Sequence, residues 1–401
     1  HRLRGADDVE AARGRSQLGL LLWQQGRFAE AEAEHRQVHA IRERVLGPEH
    51  PETLAASEGI GTALLSQGRA GDAAAVHRGV LAVRTRVLGA DHPSTALTRA
   101  NLARALGAQG LDVESQRELE AAFESLRRVQ GPDHPMTIGT QLNLGIAIMS
   151  RGDNAAAREL FADAAERFTR VLGDQHPYTA AALFNLAKAT ERLGDAPSAE
   201  REYKRARAVM LATLPAEHRD LASVRINLAN ALEEQGKLDE AEAELRKAVV
   251  ALAEGLGPRH LDTGGARNNL AGVLEAQGKL DEAEAEYRAA LEIIEPTMDP
   301  RNANLAIAYY DLGELLVRRN RLAEALPLLE HAVELLRDAQ LRDVERGEIY
   351  FGLARALADQ PDQRARAREL ATQAERLLAG GGAAVVDEHD EVLRWLHDHG
   401  R

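Results

Sequence analysis

The seven residues from Gly47 to Thr53 read Gly-Pro-Glu-His-Pro-Glu-Thr, and variants of this stretch recur along the chain. The histidine returns every 42 residues, at His50, His92, His134, His176, His218 and His260. A fixed period of this length is typical of an array of structural repeats and not of one globular domain. We therefore expect stacked repeats, each about as long as the period.

A second column of residues follows the same 42-residue period. It holds Gly26, Gly68, Gly110, Gly152, Gly194, Gly236 and Gly278, and Asn320 continues it. Glycine adopts the left-handed backbone conformation with the least strain, and asparagine ranks second. The column predicts a tight turn in the middle of every repeat.

Each repeat has the pattern of two helices joined by that turn. Leu270 and Leu274 recur at the spacing of one helix face, and Gly278 ends this first helix. Ala283 and Tyr287 mark the inner face of a second helix. Small residues at the closest crossing predict short distances between neighbouring helices; in the first helices they are Gly19, Gly61, Ala103, Gly145, Ala187, Ala229, Ala271 and Gly313.

Composition limits the classes of function. The 401 residues include no cysteine, which excludes disulfides, thiolate catalysis and cysteine-bound zinc or iron–sulfur clusters. The net charge of −13 argues against binding to nucleic acid or to an anionic membrane surface. No apolar run is long enough to cross a membrane and no targeting segment is visible, so we expect a cytoplasmic protein without membrane insertion.

The repeats resemble the tetratricopeptide repeat. Leu270, Ala271, Ala283, Tyr287 and Ala290 match the pattern of that family. The loop between repeats is similar to the Leu-Gly-x-x-His-Pro-x-Thr loop of the kinesin-light-chain-like subfamily. The resemblance implies an all-α fold, a right-handed superhelical α-solenoid of about nine helix-turn-helix repeats with a C-terminal capping helix.

This resemblance and the period together predict the domain organisation. Residues 1–12 are expected to end a preceding repeat and to form a linker, because residues 5–9 look like a decayed copy of the loop. Residues 380–401 are expected to form a glycine-rich joint and the capping helix. Residues 13–379 form the array, with repeats near 13–50, 55–92, 97–134, 139–176, 181–218, 223–260, 265–299, 305–339 and 347–379.

The histidines do not predict a metal site. Loops of neighbouring repeats lie about 10–20 Å apart, so two of these histidines cannot share one ion. His35 and His77 occupy the position of Tyr287 and are interpreted as packing residues, although His35 and His39 have the spacing of a metal pair. His389, His397 and His399 cluster without a metal-binding helix motif.

No catalytic motif is complete. The sequence His218-Arg219-Asp220-Leu221 is similar to a protein-kinase catalytic loop, but Arg225 occupies the place of the required asparagine. No phosphate-binding glycine loop accompanies it. The chain is therefore predicted to be non-enzymatic and to need no cofactor.

One polar column predicts a binding site for a protein or peptide. Asparagine recurs at Asn101, Asn143, Asn185, Asn227 and Asn269. The resemblance implies that these side chains point into the concave groove, where an amide can pair with the backbone of an extended peptide. Variable neighbours would add selectivity; they include Arg104, Lys188, Arg192 and Asn230. The alternative is that the amides only bond within or between repeats.

The favoured function is a scaffold or adaptor that binds an extended peptide or a helix in the groove. An alternative is the substrate-docking or regulatory arm of a larger bacterial signalling enzyme, since residues 363–371 and 391–396 resemble the ends of bacterial serine/threonine kinases that carry such repeats. A second alternative is self-association through an apolar face exposed on the first repeat.

Overall fold

The computed structural model describes residues 2–298, 302–337, 341–380 and 386–399. Within these ranges the ordered elements are all helices, and the predicted all-α class is confirmed. The glycines 381 and 382 of the predicted joint lie outside the described residues.

The helices alternate between a first helix and a second helix in each repeat, here termed A and B helices. The A helices are α1 (Arg2–Gln24), α3 (Pro51–Ser66), α5 (Pro93–Gly107), α7 (Pro135–Ser150), α9 (Pro177–Glu191), α11 (Arg219–Glu233), α13 (Leu261–Ala276), α15 (Ala303–Arg318) and α17 (Asp343–Leu357). The B helices are α2 (Phe28–Leu46), α4 (Ala70–Leu88), α6 (Asp112–Gln130), α8 (Asn154–Leu172), α10 (Ala196–Thr213), α12 (Leu238–Gly255), α14 (Leu280–Ile294), α16 (Leu322–Leu335) and α18 (Arg364–Leu378). A last helix, α19 (Val386–Asp398), follows.

The recurring histidine starts the A helices. In the loop before α7, His134 has an extended backbone and its Nδ1 accepts a hydrogen bond from the N–H of Met136 at 3.2 Å. This bond satisfies one of the free N–H groups at the helix start, and Pro135 supplies a preset helical angle. The other five histidines of the column cap their helices in the same way.

The loop threonine has a role that the sequence pattern did not reveal. Thr53 donates from Oγ1 to the carbonyl of Gly47 at 2.8 Å, and Thr95 does the same to Gly89 at 2.9 Å. The bond joins the end of a B helix to the start of the next A helix. Thr179 and Thr263 form the same bond, which restrains the direction of the next A helix in these four loops.

The turn between the A and B helices follows the prediction. The glycines of the turn column have positive φ, for example 78° at Gly68 and 90° at Gly152. Asn320 adopts the same conformation with φ 58°. In the described part of the chain, Asn320 is the only residue other than glycine with a positive φ, as expected from its place in the column.

The small column lets large side chains of the B helices lie directly on the A helices. The ring of His77 is 1% exposed and packs on Gly61, and the ring of Phe161 is fully buried on Gly145. A Cβ atom at Gly145 would lie 2.5 Å from the Phe161 ring. His77 is therefore a packing residue, as the sequence predicted.

The helices group into two compact units, His1–Thr213 (unit 1) and Leu214–Arg401 (unit 2), where the sequence predicted a single array. The loop at this boundary departs from the repeat pattern. Pro215 stands where other loops have their positive-φ glycine, and Leu221 replaces the loop threonine. This loop therefore lacks the positive-φ glycine of the other loops, and it lacks the threonine bond that Thr53, Thr95, Thr179 and Thr263 form.

The two ends of the chain differ in how well the loop pattern predicted their structure. Residues 5–9, interpreted as a decayed loop, lie within α1, because they lack the proline and histidine that start an A helix. The predicted capping helix is present as α19. In unit 2, Val392 of this helix is fully buried, and Trp395 meets Phe351 edge-on with 6.1 Å between ring centroids.

The close crossing gives a paired test of packing on one helix. We expect Gly145→Ala to lower the free energy of unfolding by about 1–3 kcal/mol, because the new methyl group overlaps the Phe161 ring. Gly139→Ala, also on α7, has nothing within 4 Å of its Cβ and is expected to be neutral or about 0.5–1 kcal/mol stabilising. Urea denaturation followed by circular dichroism measures both; equal effects would contradict the packing described.

Candidate functional site

In unit 1, a cleft of about 380 Å³ opens between α5, α6 and α7. Two residues predicted for the groove, Arg104 and Asn143, line it from successive A helices. Leu65, Leu119 and Ile146 provide apolar walls. We call this site the Arg104 cleft.

Both polar groups of this cleft are available to a ligand. Arg104 is exposed and Asn143 is half-buried. Neither side chain forms a hydrogen bond or ion pair with another described residue. An unpaired guanidinium and a free amide beside apolar walls suit a chain that carries acceptors, such as an acidic peptide.

Three other asparagines of the predicted column donate hydrogen bonds to residues of their own unit. Asn185 donates from Nδ2 to the carbonyl of Ala181, and Asn227 donates to that of Ser223, each at 2.8 Å along its own helix. Asn101 donates to Glu58 of the preceding A helix. Each of these contacts uses one N–H of the amide. The second N–H and the oxygen of the amide stay free to bond to a ligand.

The remaining predicted residues lie on A helices or, for Arg192, at the C-cap of one. Lys188 of α9 is half-buried with its Nζ 5.7 Å from the centre of the Phe184 ring, and burial, with Arg192 nearby, lowers the pKa of the Lys188 ammonium. Arg192 is exposed and donates to the carbonyl of Met149 at 3.4 Å. Asn230 of α11 is half-buried in unit 2.

In unit 2, a larger cleft of about 550 Å³ lies along α11, α13 and α15. Asn269 of the predicted column lines it. Its walls also include Ile226, Gly265 and Ile307. We call this site the Gly265 cleft.

A buried carboxylate lies behind one wall of the Gly265 cleft. Asn268 of that wall donates from Nδ2 to Asp311 of α15 at 2.7 Å. Burial raises the pKa of the Asp311 carboxyl to about 7, and the negative charges of Glu275, Glu348 and Glu314 add to the effect. Asp311 occupies the position of the asparagine column in its repeat.

One feature of this second site was visible in the sequence, and another was not. The aspartate in a column of asparagines was visible in the repeat alignment. The partnership of Asn268 with Asp311 was not, because it depends on how adjacent repeats stack.

Among the described residues, no group of three histidine, aspartate or glutamate side chains is arranged to hold a metal ion. His39 lies 3.8 Å from Glu43 on its own helix, and His389 lies 3.4 Å from Glu375. His218, the first residue of the kinase-like tetrapeptide, is the N-cap of α11. No helix in the described ranges has the length and apolar character needed to cross a bilayer.

Sequence comparison identifies the repeat. Two family models described as tetratricopeptide repeat match the chain, one at residues 10–78, 136–212 and 262–338, and the other at 95–135 and 221–262. The first alone covers more than half of the chain. No curated protein shows significant sequence similarity to the chain.

Solved structures show the same kind of fold. A Podosopora anserina protein assigned as a kinesin light chain, with nearly identical TPR-like repeats, is 27% identical over 51% of this chain and 97% of its own, with a TM-score of 0.43. The apo form of RapI is 13% identical over 86% and 92% of the two chains, with a TM-score of 0.62. A chain of the APC/C hetero-tetramer Cut9-Hcn1 is 14% identical over 90% and 59%, with a TM-score of 0.53.

The buried carboxyl of Asp311 predicts a pH dependence of stability. Because its pKa in the folded protein is about 7, against about 4 for an unfolded aspartate, the folded state holds an extra proton between these values. The stability contributed by this proton is complete below about pH 4 and falls as the pH rises through 7.

Asp311→Asn keeps an acceptor for Asn268 and removes the titration. We expect the gain in unfolding free energy of this variant over the original protein to be larger at pH 8 than at pH 5. Urea titrations at the two pH values measure it. A gain that does not change with pH would contradict the burial of this carboxyl.

Proposed function

Because the chain belongs to the tetratricopeptide repeat family, we propose that it is a non-catalytic scaffold that binds a protein partner as an extended peptide or a helix on its A helices. Tetratricopeptide repeats generally mediate protein–protein interaction.

The Arg104 cleft is the observation that carries this proposal. It brings a cation and an asparagine of two successive repeats to one apolar depression. The apolar walls would desolvate a ligand, while Asn143 would pair with its backbone and Arg104 with a carboxylate. Such a site recognises an acidic or acceptor-rich segment of a partner.

The asparagine column would extend the binding surface along each unit. In unit 1 it contributes Asn101, Asn143 and Asn185; in unit 2 it contributes Asn227 and Asn269. The bonds of Asn185 and Asn227 to their own helices orient these amides, and each keeps a free N–H and oxygen. Lys188, Arg192 and Asn230 would then contribute selectivity through charge and hydrogen bonding.

The same surface would serve the alternative role of a docking arm of a larger signalling enzyme such as a serine/threonine kinase. In that case the segment bound at the Arg104 cleft would belong to the substrate of the enzyme. The binding experiment below applies to both roles.

A peptide array tests the proposal directly. We expect the full chain to retain acidic peptides at low salt and to retain them less in high salt, because an exposed ion pair is screened. The double variant Arg104→Gln, Asn143→Ala should bind them at least about tenfold more weakly, since a hydrogen bond to a charged group contributes about 1.5–3 kcal/mol.

Arg117→Gln on α6 is the matched control, because this arginine is exposed on a B helix outside the cleft. Circular dichroism of all variants shows that the helices remain. If the double variant retains the peptides as well as the control does, the Arg104 cleft is not the binding site.

A second candidate function is self-association through α1. Leu18 and Leu21 are 44% and 54% exposed. Their counterparts one period later, Ile60 and Ala63, are 6% and 1% exposed. This face is thus buried in the next repeat of unit 1, whereas on α1 it offers an exposed apolar stripe to another helix.

Light scattering of the purified chain measures this contact. If two copies join through α1, Leu18→Lys with Leu21→Lys is expected to give monomers at concentrations where the original chain is dimeric. Leu393→Lys, at an exposed leucine of α19, is the control. A chain that is monomeric before substitution, or a dimer that survives it, would rule out this role.

A further inference from the structure

The Gly265 cleft can accommodate one long side chain. A Cβ atom placed on Gly265 would meet nothing within 4 Å, so the floor of the cleft is open. Ile226 and Ile307 on the flanking A helices are half-buried and present apolar walls. An unbranched aliphatic chain would bury apolar surface between them.

The polar wall of the cleft has acceptors that are not fully used. Asn268 gives its N–H to Asp311, and its own Oδ1 is shielded from solvent without a hydrogen-bond partner. Glu314 of α15, about one helical turn after Asp311, is 7% exposed, and its Oε1 also lacks a hydrogen-bond partner. A buried acceptor without a partner is costly, so a donor that reaches this wall would be stabilised.

The charges around the cleft leave an excess of negative charge. Arg219 at one end is neutralised by Asp262 at 2.5 Å. Two further arginines are engaged with the other carboxylates: Arg318 with Glu275 at 3.1 Å, and Arg355 with Glu314.

Asp311 itself has no basic partner among the described residues; its hydrogen bond is to the neutral amide of Asn268. The Asp311 carboxylate therefore adds negative charge that no basic side chain among the described residues pairs with.

We propose that the Gly265 cleft binds a lysine or arginine side chain of a protein partner, with its aliphatic stem between Ile226 and Ile307 and its charge directed to Asn268 and Asp311. This deepens the proposed function and rests on it, since the partner is held by the A helices. It gives unit 2 a preference opposite to that of the Arg104 cleft in unit 1.

The affinity for such a side chain should depend on pH. The groups that face Asp311 are Asn268 and Glu275 of α13, Tyr287 of α14, Tyr310 and Glu314 of α15, and Glu348 of α17. A bound cation favours the ionised carboxylate, and the pKa of Asp311 is about 7 before binding. Binding should therefore strengthen from pH 6 to pH 8 and release protons.

The test uses the full chain and four capped peptides, Ac-Gly-Ser-Leu-Xaa-Leu-Ser-Gly-amide, in which Xaa is lysine, arginine, norleucine or glutamate. Calorimetry at pH 6 and pH 8 measures affinity, and nuclear magnetic resonance locates the bound peptide. We expect the lysine and arginine peptides to bind unit 2 at least about tenfold more tightly than the glutamate peptide at pH 8.

Two variants test the site itself. Gly265→Leu fills the cleft and should abolish this preference, while Gly139→Leu is the control at the equivalent position of unit 1, where a Cβ also meets nothing within 4 Å. Both remove a glycine from a helix interior, which favours folding. Asp311→Asn keeps the bond to Asn268, and it should reduce the preference and abolish its pH dependence.

The results of these experiments support or contradict the inference as follows. If the preference for lysine and arginine survives both variants, or if unit 2 prefers the glutamate peptide, the inference is wrong and the scaffold function stands. If none of the four peptides binds and the peptide array is also negative, the proposed function fails together with the inference.

Discussion

The close approach of an A helix and its B helix is the contact on which the rest of the structure depends. It requires a residue without a large side chain at the crossing point, so that a ring or a leucine of the B helix can lie on the A-helix backbone. Gly145 beneath Phe161, Gly61 beneath His77 and Gly313 beneath Leu329 are examples. One large side chain in each hairpin then fills the space between the helices, and few aromatic residues are needed.

This arrangement separates the residues that build the fold from those that contact a ligand. The crossing, capping and turn positions are fixed within each repeat, while positions one or two residues away on the A helices are free to vary. Arg104 in unit 1 and Asp311 in unit 2 are variations of this kind. Different chemistry can therefore be placed on one scaffold without a change of packing.

Most of the fold could be predicted from the sequence, because its determinants are local and repeated. The positive φ of Asn320 followed from its place in a glycine column, and the starts of six A helices followed from the loop with the recurring histidine. The loop predicted at residues 5–9 was wrong, since a degenerate copy without histidine and proline continues as helix. The division at Pro215 was missed because the 42-residue spacing is unbroken there.

The candidate site was predictable in position and less so in chemistry. The sequence placed Arg104 and Asn143 on the same face, but it could not show that Asn185 and Asn227 bond to their own helices. The raised pKa of Asp311 depends on burial and on carboxylates that neighbouring helices bring close to it, which a repeat pattern does not specify.

The loop bonds have an evolutionary consequence. His50 bonds to Glu52, and Thr53 bonds to Gly47, so the junction between two repeats is closed by residues of one short segment. A hairpin and its loop can therefore be duplicated or lost by recombination at the gene level without loss of a distant partner. The array can change in length while each junction remains intact, so new binding surfaces can arise by copying before any residue of them is altered.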